Sequence, residues 1–210
     1  EHSWVIIADV VWLGKSIIGS TLVANLWKKA IVISPPHLKK QWENYWEDFW
    51  LNLKIFTSWK IKDALNFSRK YKNYDVVLID EAHRYRTSEN IDYGDLYQVT
   101  MWKKVILLTA TPFNNSPEDI FNLIKLFQIP KKSTIQTSKL LTYEFQELIK
   151  EYNKIRSEEK AKKLTKEQLK TKLNSISSKI KTLIYPVVIR RSRVDLEKRV
   201  GTSCFDVEEC

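Results

Sequence analysis

The chain has 210 residues, of which 43% are hydrophobic, and a formal net charge of +10. This length can bury a substantial core, either as one large domain or as a domain with an appendage. Because no apolar run approaches the ~18 residues that span a bilayer and no signal-peptide pattern is present, we expect a soluble, cytoplasmic protein. The two cysteines both lie in the last seven residues, which favours free thiols over a disulfide framework.

The chain starts with a strand, loop and helix pattern. The apolar run at 5–8 predicts a buried strand, and the apolar spacing at 17–26 predicts a helix. Between them lie Gly14, Lys15 and Ser16, the end of a phosphate-binding loop. In such loops backbone N–H groups surround the phosphates, the lysine reaches the outer two and the serine hydroxyl binds Mg²⁺. This stretch therefore predicts a site for a nucleotide with Mg²⁺.

Five further apolar runs predict buried strands, most of them followed by helical spacing. They are AIVIS at 30–34, LKIFT at 53–57, DVVLID at 75–80, KVILLTA at 104–110 and PVVIR at 186–190. Continuous Val, Ile and Leu runs that alternate with helices predict an α/β fold with a parallel sheet covered on both faces. One of the helices is predicted to begin at Pro117, with Ser116 as its N-cap.

Residues 142–183 contain no Gly or Pro and predict two charged helices with a turn at 164–165. Residues 131–185 hold 14 Lys and Arg against 6 Asp and Glu, so a charge of +8 lies in this segment. A solvated helical face and a surface for a polyanion such as nucleic acid both explain this excess. We expect an ATP-binding lobe at 1–135 and 185–200, a basic helical protrusion at 136–184 and an unassigned tail at 201–210.

Two more motifs follow predicted strands. Asp80 and Glu81 end the strand DVVLID, and the carboxyl ends of parallel strands face the ligand crevice. One carboxylate can hold Mg²⁺ while its neighbour deprotonates the attacking water, although two acids could also simply cap the next helix. The stretch LTATP at 108–112 follows the next strand, and its hydroxyls can connect the nucleotide end of the sheet to the opposite edge.

In this order, GKS, DEAH and LTATPFNN resemble the first RecA-like lobe of helicase-superfamily-two ATPases. The resemblance is closest to the Swi/Snf-type DNA translocases and their bacterial relatives, and it extends to ADxxxLGKS, IVISPPHLKKQW and VVIRRSRVDLE. It covers the chain from Trp4 to about Glu197. The family implies ATP and Mg²⁺ as cofactors, and double-stranded DNA and a second RecA-like lobe as partners.

The resemblance also implies residue roles. It places Asp9, Leu13, Gly14, Lys15, Ser16 and Asp80 around the nucleotide, with Ser16 and Asp80 at the metal and Glu81 activating water. It assigns His83, Thr109 and Thr111 to coupling between hydrolysis and DNA. It places Ser34, Pro35, His37, Thr57 and Ser58 near a nucleic-acid backbone. Arg190 and Arg191 either join them or are merely exposed.

The sequence departs from the family in three ways. The second lobe is absent together with its arginine finger, a group worth roughly 10³ to 10⁵ in rate. We therefore expect a fragment that binds nucleotide better than it hydrolyses it. Val10 follows Asp9 where the family has an acid, and Trp12 stands where the family has glycine.

Three functions remain open. The leading hypothesis is an ATP-dependent DNA translocase or remodeller lobe of a bacterial-type enzyme. One alternative is the motor subunit of a restriction or phage-defence system, which would differ in attached domains. The other is a non-catalytic nucleic-acid-binding module with a decayed ATP site, against which the intact Lys15, Ser16, Asp80 and Glu81 argue.

The tryptophans raise a separate question. Glycine occurs 4 times and tryptophan 8 times, whereas ordinary usage predicts about 15 glycines. Glycine would make physical sense at six of the tryptophan positions, namely 4, 12, 27, 50, 59 and 102. Trp42 lies on a patterned helix and fits there. One hypothesis is a codon, most simply UGA, that the organism reads as glycine; the alternative is a tryptophan-rich, decayed ATPase.

Overall fold

The structure, a computed structural model, describes residues 4–9, 14–87, 92–111, 116–129, 133, 135 and 139–190. Within them the strands are β1 Trp4–Ile7, β2 Lys29–Ser34, β3 Leu53–Thr57, β4 Tyr74–Ile79, β5 Lys104–Leu108 and β6 Val188–Ile189. All six form one parallel sheet in the order β3-β2-β4-β5-β1-β6. The predicted strands are thus confirmed, with ends shifted by at most two residues.

The helices lie on both faces of this sheet. They are α1 Lys15–Leu26, α2 Lys39–Asp48, α3 Ile61–Lys70, α4 Tyr93–Thr100, α5 Pro117–Lys125, α6 Leu141–Lys160 and α7 Lys166–Ile184, with short 3₁₀ turns at Pro36–Leu38 and Ala82–Tyr85. The predicted α/β fold is confirmed. No helix in the described ranges has both the length and the apolar character that a membrane span needs.

The sheet is buried on both sides, which explains its continuous apolar runs. One cluster packs α1 and α2 against alternate strand residues such as Val32 and Leu78, and the other packs α3 to α7 against residues such as Ile33 and Ile79. Gly19 lets α1 approach closely, because a Cβ there would lie 2.9 Å from Leu78 Cδ1. This close approach sets the start of α1 beside the carboxyl ends of the strands.

The segment before the last strand is a helical hairpin. Helices α6 and α7 flank a turn at 161–165, near the predicted position, and Lys172 and Lys179 pair across the hairpin with Glu158 and Glu151 at 2.7 and 2.8 Å. Phe145 of α6 stacks on Phe121 of α5 with ring centroids 4.8 Å apart. The chain then returns to the sheet as β6, so the hairpin is anchored at its base.

One local prediction is confirmed: Ser116 is the N-cap residue of α5, which begins at Pro117. The Ser116 hydroxyl accepts no hydrogen bond from a backbone N–H of the first turn, and it donates to Asp119 Oδ1 at 3.4 Å.

Candidate nucleotide-binding and catalytic site

The predicted site residues meet at the carboxyl edge of the sheet. Strands β4, β5 and β1 are neighbours, so Asp80, Thr109 and Asp9, which follow them, lie side by side. Asp9 and Thr109 are fully buried, and Asp80 is nearly so. Helix α1 begins next to them. The topology therefore assembles one polar cluster from three segments that are distant in sequence.

The described end of the phosphate-binding loop has the geometry of an anion site. Gly14 is the N-cap of α1 in the left-handed conformation, with φ 65° and ψ 37°, where glycine is favoured. The first turn of α1 contains no acidic residue, so its N–H groups face no competing carboxylate on that turn. Lys15 Nζ donates to the backbone oxygen of Asp9 at 3.1 Å. Leu13, Trp12 and Val10 lie outside the described residues.

Asp80 is held by three donors. The Ser16 hydroxyl donates to Asp80 Oδ2 at 3.4 Å, and the Trp42 indole Nε1–H donates to the same oxygen at 2.9 Å. The Glu81 backbone N–H donates to Oδ1 at 2.9 Å. Burial raises the pKa of the Asp80 carboxyl, while the hydrogen bonds from Trp42, Glu81 and Ser16 act in the opposite direction.

The donor set fits a magnesium ion. A serine hydroxyl and a carboxylate are the hard oxygen ligands that Mg²⁺ prefers, and this ion is usually bound by one or two carboxylates together with phosphates and water. Across the described part of the chain, no group of three or more His, Cys, Asp or Glu could form an all-protein metal cage. Ser16 and Asp80 are already in contact, so both lie close enough to serve one ion.

Glu81 is accessible to water, unlike Asp80. Its side chain is 32% exposed, and His83 Nδ1 lies 3.0 Å from its Oε2. Burial lowers the pKa of His83, with the Glu81 charge acting against this effect. Glu81 has φ 52° and ψ 47°, a conformation that side-chain-bearing residues rarely adopt and that concentrates at functional sites.

An arginine that the sequence analysis missed connects two of the motifs. Arg86, just after the 3₁₀ turn, donates from Nη2 to the Thr111 hydroxyl at 2.6 Å and to the Thr111 carbonyl. Thr109 Oγ1 accepts the Thr111 N–H at 3.2 Å, and Asn122 of α5 donates to the Arg86 carbonyl at 2.6 Å. Burial lowers the pKa of Arg86, and nearby Asp119 opposes this. The segments after β4 and β5 are thereby joined.

The residues predicted near nucleic acid fall into two groups. Ser34, Pro35, Thr57 and Ser58 follow or end β2 and β3 at one side of the sheet, and the Ser58 N–H donates to the Ser34 carbonyl at 2.8 Å. The hydroxyls of Ser34 and Ser58 are buried, and neither has a hydrogen-bond partner among the described residues. His37 is exposed beside them.

Arg190 is exposed after β6, at the opposite edge of the sheet from β3, so the structure does not bring it to the first group. Arg191 lies outside the described residues. A cavity of about 780 Å³ lies at the amino ends of the strands near Trp4 and Trp102, and it contains none of the predicted site residues.

The chain is similar in sequence to a known protein family and to curated proteins. The family model described as the SNF2-related domain matches residues 55–207. The Bacillus subtilis (strain 168) protein named "Uncharacterized ATP-dependent helicase YqhH" is 29% identical over 59% of this chain and 26% of its own length. The Arabidopsis thaliana protein named "CHD3-type chromatin-remodeling factor CHR7" is 24% identical over 99% of this chain and 20% of its own length.

A solved structure has the same fold. The "Sulfolobus solfataricus SWI2/SNF2 ATPase core in complex with dsDNA" superposes with a TM-score of 0.58, covering 91% of this chain and 41% of that one at 18% identity. This likeness places the sheet and its helices in the RecA-like class. The chain spans about a quarter or less of the length of the two curated relatives named above.

Proposed function

Because this chain belongs to the SNF2-related domain family, we propose that it is the ATP-binding and ATP-hydrolysing first lobe of a DNA-dependent ATPase, a translocase or remodeller. The observation that carries the proposal is the contact between the Ser16 hydroxyl and the Asp80 carboxylate, with Glu81 next to it. A phosphate-binding loop and an acidic pair from separate strands meet there, as hydrolysis of a nucleotide with Mg²⁺ requires.

The phosphate end of ATP is held by the start of α1. The left-handed Gly14 turns the backbone toward the helix axis, and the helix N-terminus adds favourable N–H groups and a positive dipole end. The Lys15 ammonium, which donates to a carbonyl oxygen in this structure, exchanges that partner for the more highly charged phosphate oxygens. Ser16 and Asp80 hold Mg²⁺, which neutralises phosphate charge when bound.

Glu81 is the general base. Its carboxylate lies at the carboxyl edge of the sheet, and its partial exposure lets a water molecule reach it. Asp80 and Glu81 have different roles. The Asp80 carboxylate is buried and fixed by three donors, whereas the Glu81 carboxylate stays open on one side to accept a proton. His83 contacts Glu81, and the lowered pKa of His83 favours the neutral imidazole at neutral pH. His83 therefore does not neutralise the negative charge of the Glu81 carboxylate.

DNA is the proposed partner on two grounds. The solved SWI2/SNF2 core with the same fold is a complex with double-stranded DNA. In this chain, His37 is exposed beside two buried hydroxyls that have no partner among the described residues, and the helical hairpin carries a concentration of lysines. Exposed lysines suit contact with a phosphate backbone.

The alternative of a decayed ATP site is less well supported. A site that has lost its function is expected to lose the geometry of its side chains as well as their identity. Here Ser16, Asp80 and Trp42 form a connected hydrogen-bond network with distances of 2.9 to 3.4 Å. The restriction or defence motor shares this lobe and differs in attached domains.

Substitution Glu81→Gln in the full-length protein tests the proposal. The amide keeps the size of the side chain but accepts no proton, so ATP binding is retained and hydrolysis falls about a hundredfold or more. Glu47→Gln, on an exposed position of α2, is the matched control and keeps both properties. Undiminished steady-state hydrolysis by the Glu81→Gln protein would remove Glu81 from the catalytic role.

A further inference from the structure

We propose that Trp42 is a positioning residue of the nucleotide site, which fixes the carboxylate of Asp80 in the orientation that receives Mg²⁺. The inference rests on the proposed function. Trp42 lies on α2, on neither of the loops that carry the nucleotide motifs, and acts through Asp80 rather than touching nucleotide.

The contact is direct and confined. Trp42 is fully buried, and its indole Nε1–H donates to Asp80 Oδ2 at 2.9 Å, the oxygen that also accepts the Ser16 hydroxyl. A buried indole N–H needs a partner, and here the partner is a carboxylate rather than a backbone carbonyl. The ring packs in the core and meets Tyr45 edge-on, with centroids 5.8 Å apart. The donor is therefore fixed in place.

The indole donor restricts rotation of the Asp80 carboxylate. Glu81 N–H holds Oδ1 and Trp42 holds Oδ2, so each of the two carboxylate oxygens is fixed by its own donor. Without the indole donor, the carboxylate is held firmly at one oxygen only and can rotate more freely. Binding that depends on both oxygens being preorganised then weakens.

A double-mutant cycle tests this role in the full-length protein, with nucleotide binding measured as a function of Mg²⁺ concentration. Trp42→Phe removes the donor and keeps an aromatic ring, and we expect the Mg²⁺ concentration for half-maximal ATP binding to rise about tenfold or more, as expected for one hydrogen bond to a charged group. In an Asp80→Ala background, where the acceptor of the indole N–H is gone, the same substitution has no further effect.

The outcomes separate this inference from the function it rests on. Wild-type protein without Mg²⁺-dependent ATP binding contradicts the proposed function. Wild-type binding that Trp42→Phe leaves unchanged, or a Trp42→Phe effect that persists undiminished in Asp80→Ala, contradicts only the role of Trp42. If Trp42→Phe fails to fold, replacement by 3-benzothienylalanine, which puts sulfur in place of the N–H within the same ring shape, decides the question with the same readout.

A second inference comes from the backbone: we infer that the native residue at positions 27, 50 and 102 is glycine. Among the described residues, five non-glycine positions have positive φ, and three of them are tryptophan, Trp27 at 49°, Trp50 at 52° and Trp102 at 65°. Bulky residues in this region are genuine outliers. The other two are Glu81 in the catalytic motif and Lys162.

Each of the three has a local structure that calls for glycine. Trp50 follows α2 in a complete Schellman motif, in which its N–H donates to the Glu47 carbonyl at 3.3 Å and the Leu51 N–H donates to the Trp46 carbonyl at 3.1 Å. Trp27 ends α1 in the left-handed conformation. Glycine is the usual residue at both kinds of helix end.

Trp102 occupies the third position of a turn. The Lys103 N–H donates to the Thr100 carbonyl at 3.1 Å, Met101 has φ −57° and ψ 127°, and Trp102 follows with φ 65°. These angles define a type II turn, whose third residue requires positive φ and is normally glycine.

The side chains show the same division. Trp27, Trp50 and Trp102 are 93%, 94% and 87% exposed, so their indoles pack against almost nothing, whereas Trp42 is fully buried. Lys162 shows that a helix end can have a flexible side chain at a left-handed position. A lysine side chain is readily solvated, whereas an exposed indole is not.

Two of the six tryptophan positions at which glycine would make sense lack this support. Trp4 is buried in β1, 4.0 Å from the Phe127 ring between centroids, and Trp59 is exposed without positive φ. Trp12 lies outside the described residues. The geometry therefore assigns glycine at three positions, and a single codon that the source reads as glycine and a standard reading translates as tryptophan accounts for all three.

The gene sequence and protein stability test this assignment. We expect UGA codons at 27, 50 and 102 and UGG at 42, and any other pattern at these four codons overturns the recoding. In denaturant unfolding, Trp50→Gly raises the folding equilibrium constant about two- to tenfold, because the left-handed strain is relieved. Trp46→Gly, four residues earlier inside α2, lowers it. An equal decrease in both variants would overturn glycine at position 50.

Discussion

Arg86 shows how single side chains connect the parts of this site. Its guanidinium spans from the segment after β4 to Thr111 after β5, and its backbone carbonyl accepts from Asn122 of α5. Both bonds to Thr111 come from Nη2, one arm of the planar guanidinium fork, which engages two oxygens of one residue at once. Arg86 therefore joins the segment after β4 to the segment after β5 that carries Thr109 and Thr111.

Substitution Arg86→Lys tests this connection. Lysine keeps the charge but offers a point donor in place of the fork, so ATP binding is retained while DNA-stimulated hydrolysis falls about tenfold, the value of one charged hydrogen bond. The measurement is hydrolysis rate against DNA concentration. Arg84→Lys, at an exposed position two residues earlier, is the control. Equal effects of the two substitutions would contradict a specific role for Arg86.

Part of the site could be predicted from the sequence because the residues concerned lie in short, continuous motifs. Lys15, Ser16, Asp80 and Glu81 lie in short motifs whose spacing implies their roles, and the structure brings Ser16 and Asp80 into contact. Trp42 is 38 residues from Asp80 and ends the stretch IVISPPHLKKQW, to which the resemblance attaches no nucleotide role. Its contribution depends on how α2 packs on the sheet, and sequence spacing carries no information about that.

At the scale of elements, the hairpin of α6 and α7 begins its second helix with a capping box. The Thr165 hydroxyl accepts the Gln168 N–H at 3.2 Å, and the Gln168 side chain accepts the Thr165 N–H at 3.0 Å. Two backbone donors at the start of α7 are thereby satisfied, which fixes the turn between the helices.

We expect Thr165→Ala to destabilise the hairpin by about 0.5–2 kcal/mol, because it removes the cap. Hydrogen exchange of the first turn of α7 measures the effect locally. Thr171→Ala is the matched control, since the Thr171 hydroxyl only donates back to the Glu167 carbonyl within the same helix. Slower or unchanged exchange in the Thr165→Ala protein would contradict the capping role.

The lysines near the hairpin turn are the proposed DNA contacts. Lys162, Lys163, Lys166 and Lys170 lie at or beside the turn, and none of them forms an ion pair within the described residues. Neutralising all four with glutamine should reduce the slope of log affinity against log salt by up to about one unit for each lysine–phosphate interaction that is removed. Binding to double-stranded DNA across a salt series measures this slope.

Lys172 and Lys179 are the comparison pair, because both already pair with glutamates. Their replacement by glutamine is expected to change the slope less for each lysine removed. The same slope in wild-type protein and the fourfold variant assigns the four lysines to a solvated helical face.

The elements themselves follow from patterns that the sequence displays openly. The continuous apolar run at 30–34 predicted β2 closely, because a strand buried on both faces leaves little room for polar residues. The last strand is shorter than predicted, Val188–Ile189 within PVVIR, since pairing with β1 is limited to Ile6 and Ile7. The length over which an edge strand pairs depends on the neighbouring strand, so the apolar run in the sequence does not determine it.

At the scale of the whole molecule, the parallel sheet brings the predicted nucleotide-site residues together at the carboxyl ends of its strands. The strand order puts β4, β5 and β1 next to one another, so the phosphate loop, the acidic pair and the threonine segment meet. The residues after β2 and β3, which are proposed to contact DNA, continue the same row of strand ends, and the hairpin of α6 and α7 precedes β6 at the opposite side of the sheet. The proposed nucleotide and DNA contacts therefore belong to one sheet.

Hydrolysis of ATP by the full-length protein, measured with and without double-stranded DNA in the presence of Mg²⁺, tests the central claim most directly. The account predicts that DNA raises the rate about fivefold or more, within the usual range of coupling between two sites, and that the Glu81→Gln protein shows no comparable rate. A rate that is the same with and without DNA, or one that Glu81→Gln leaves intact, would contradict it.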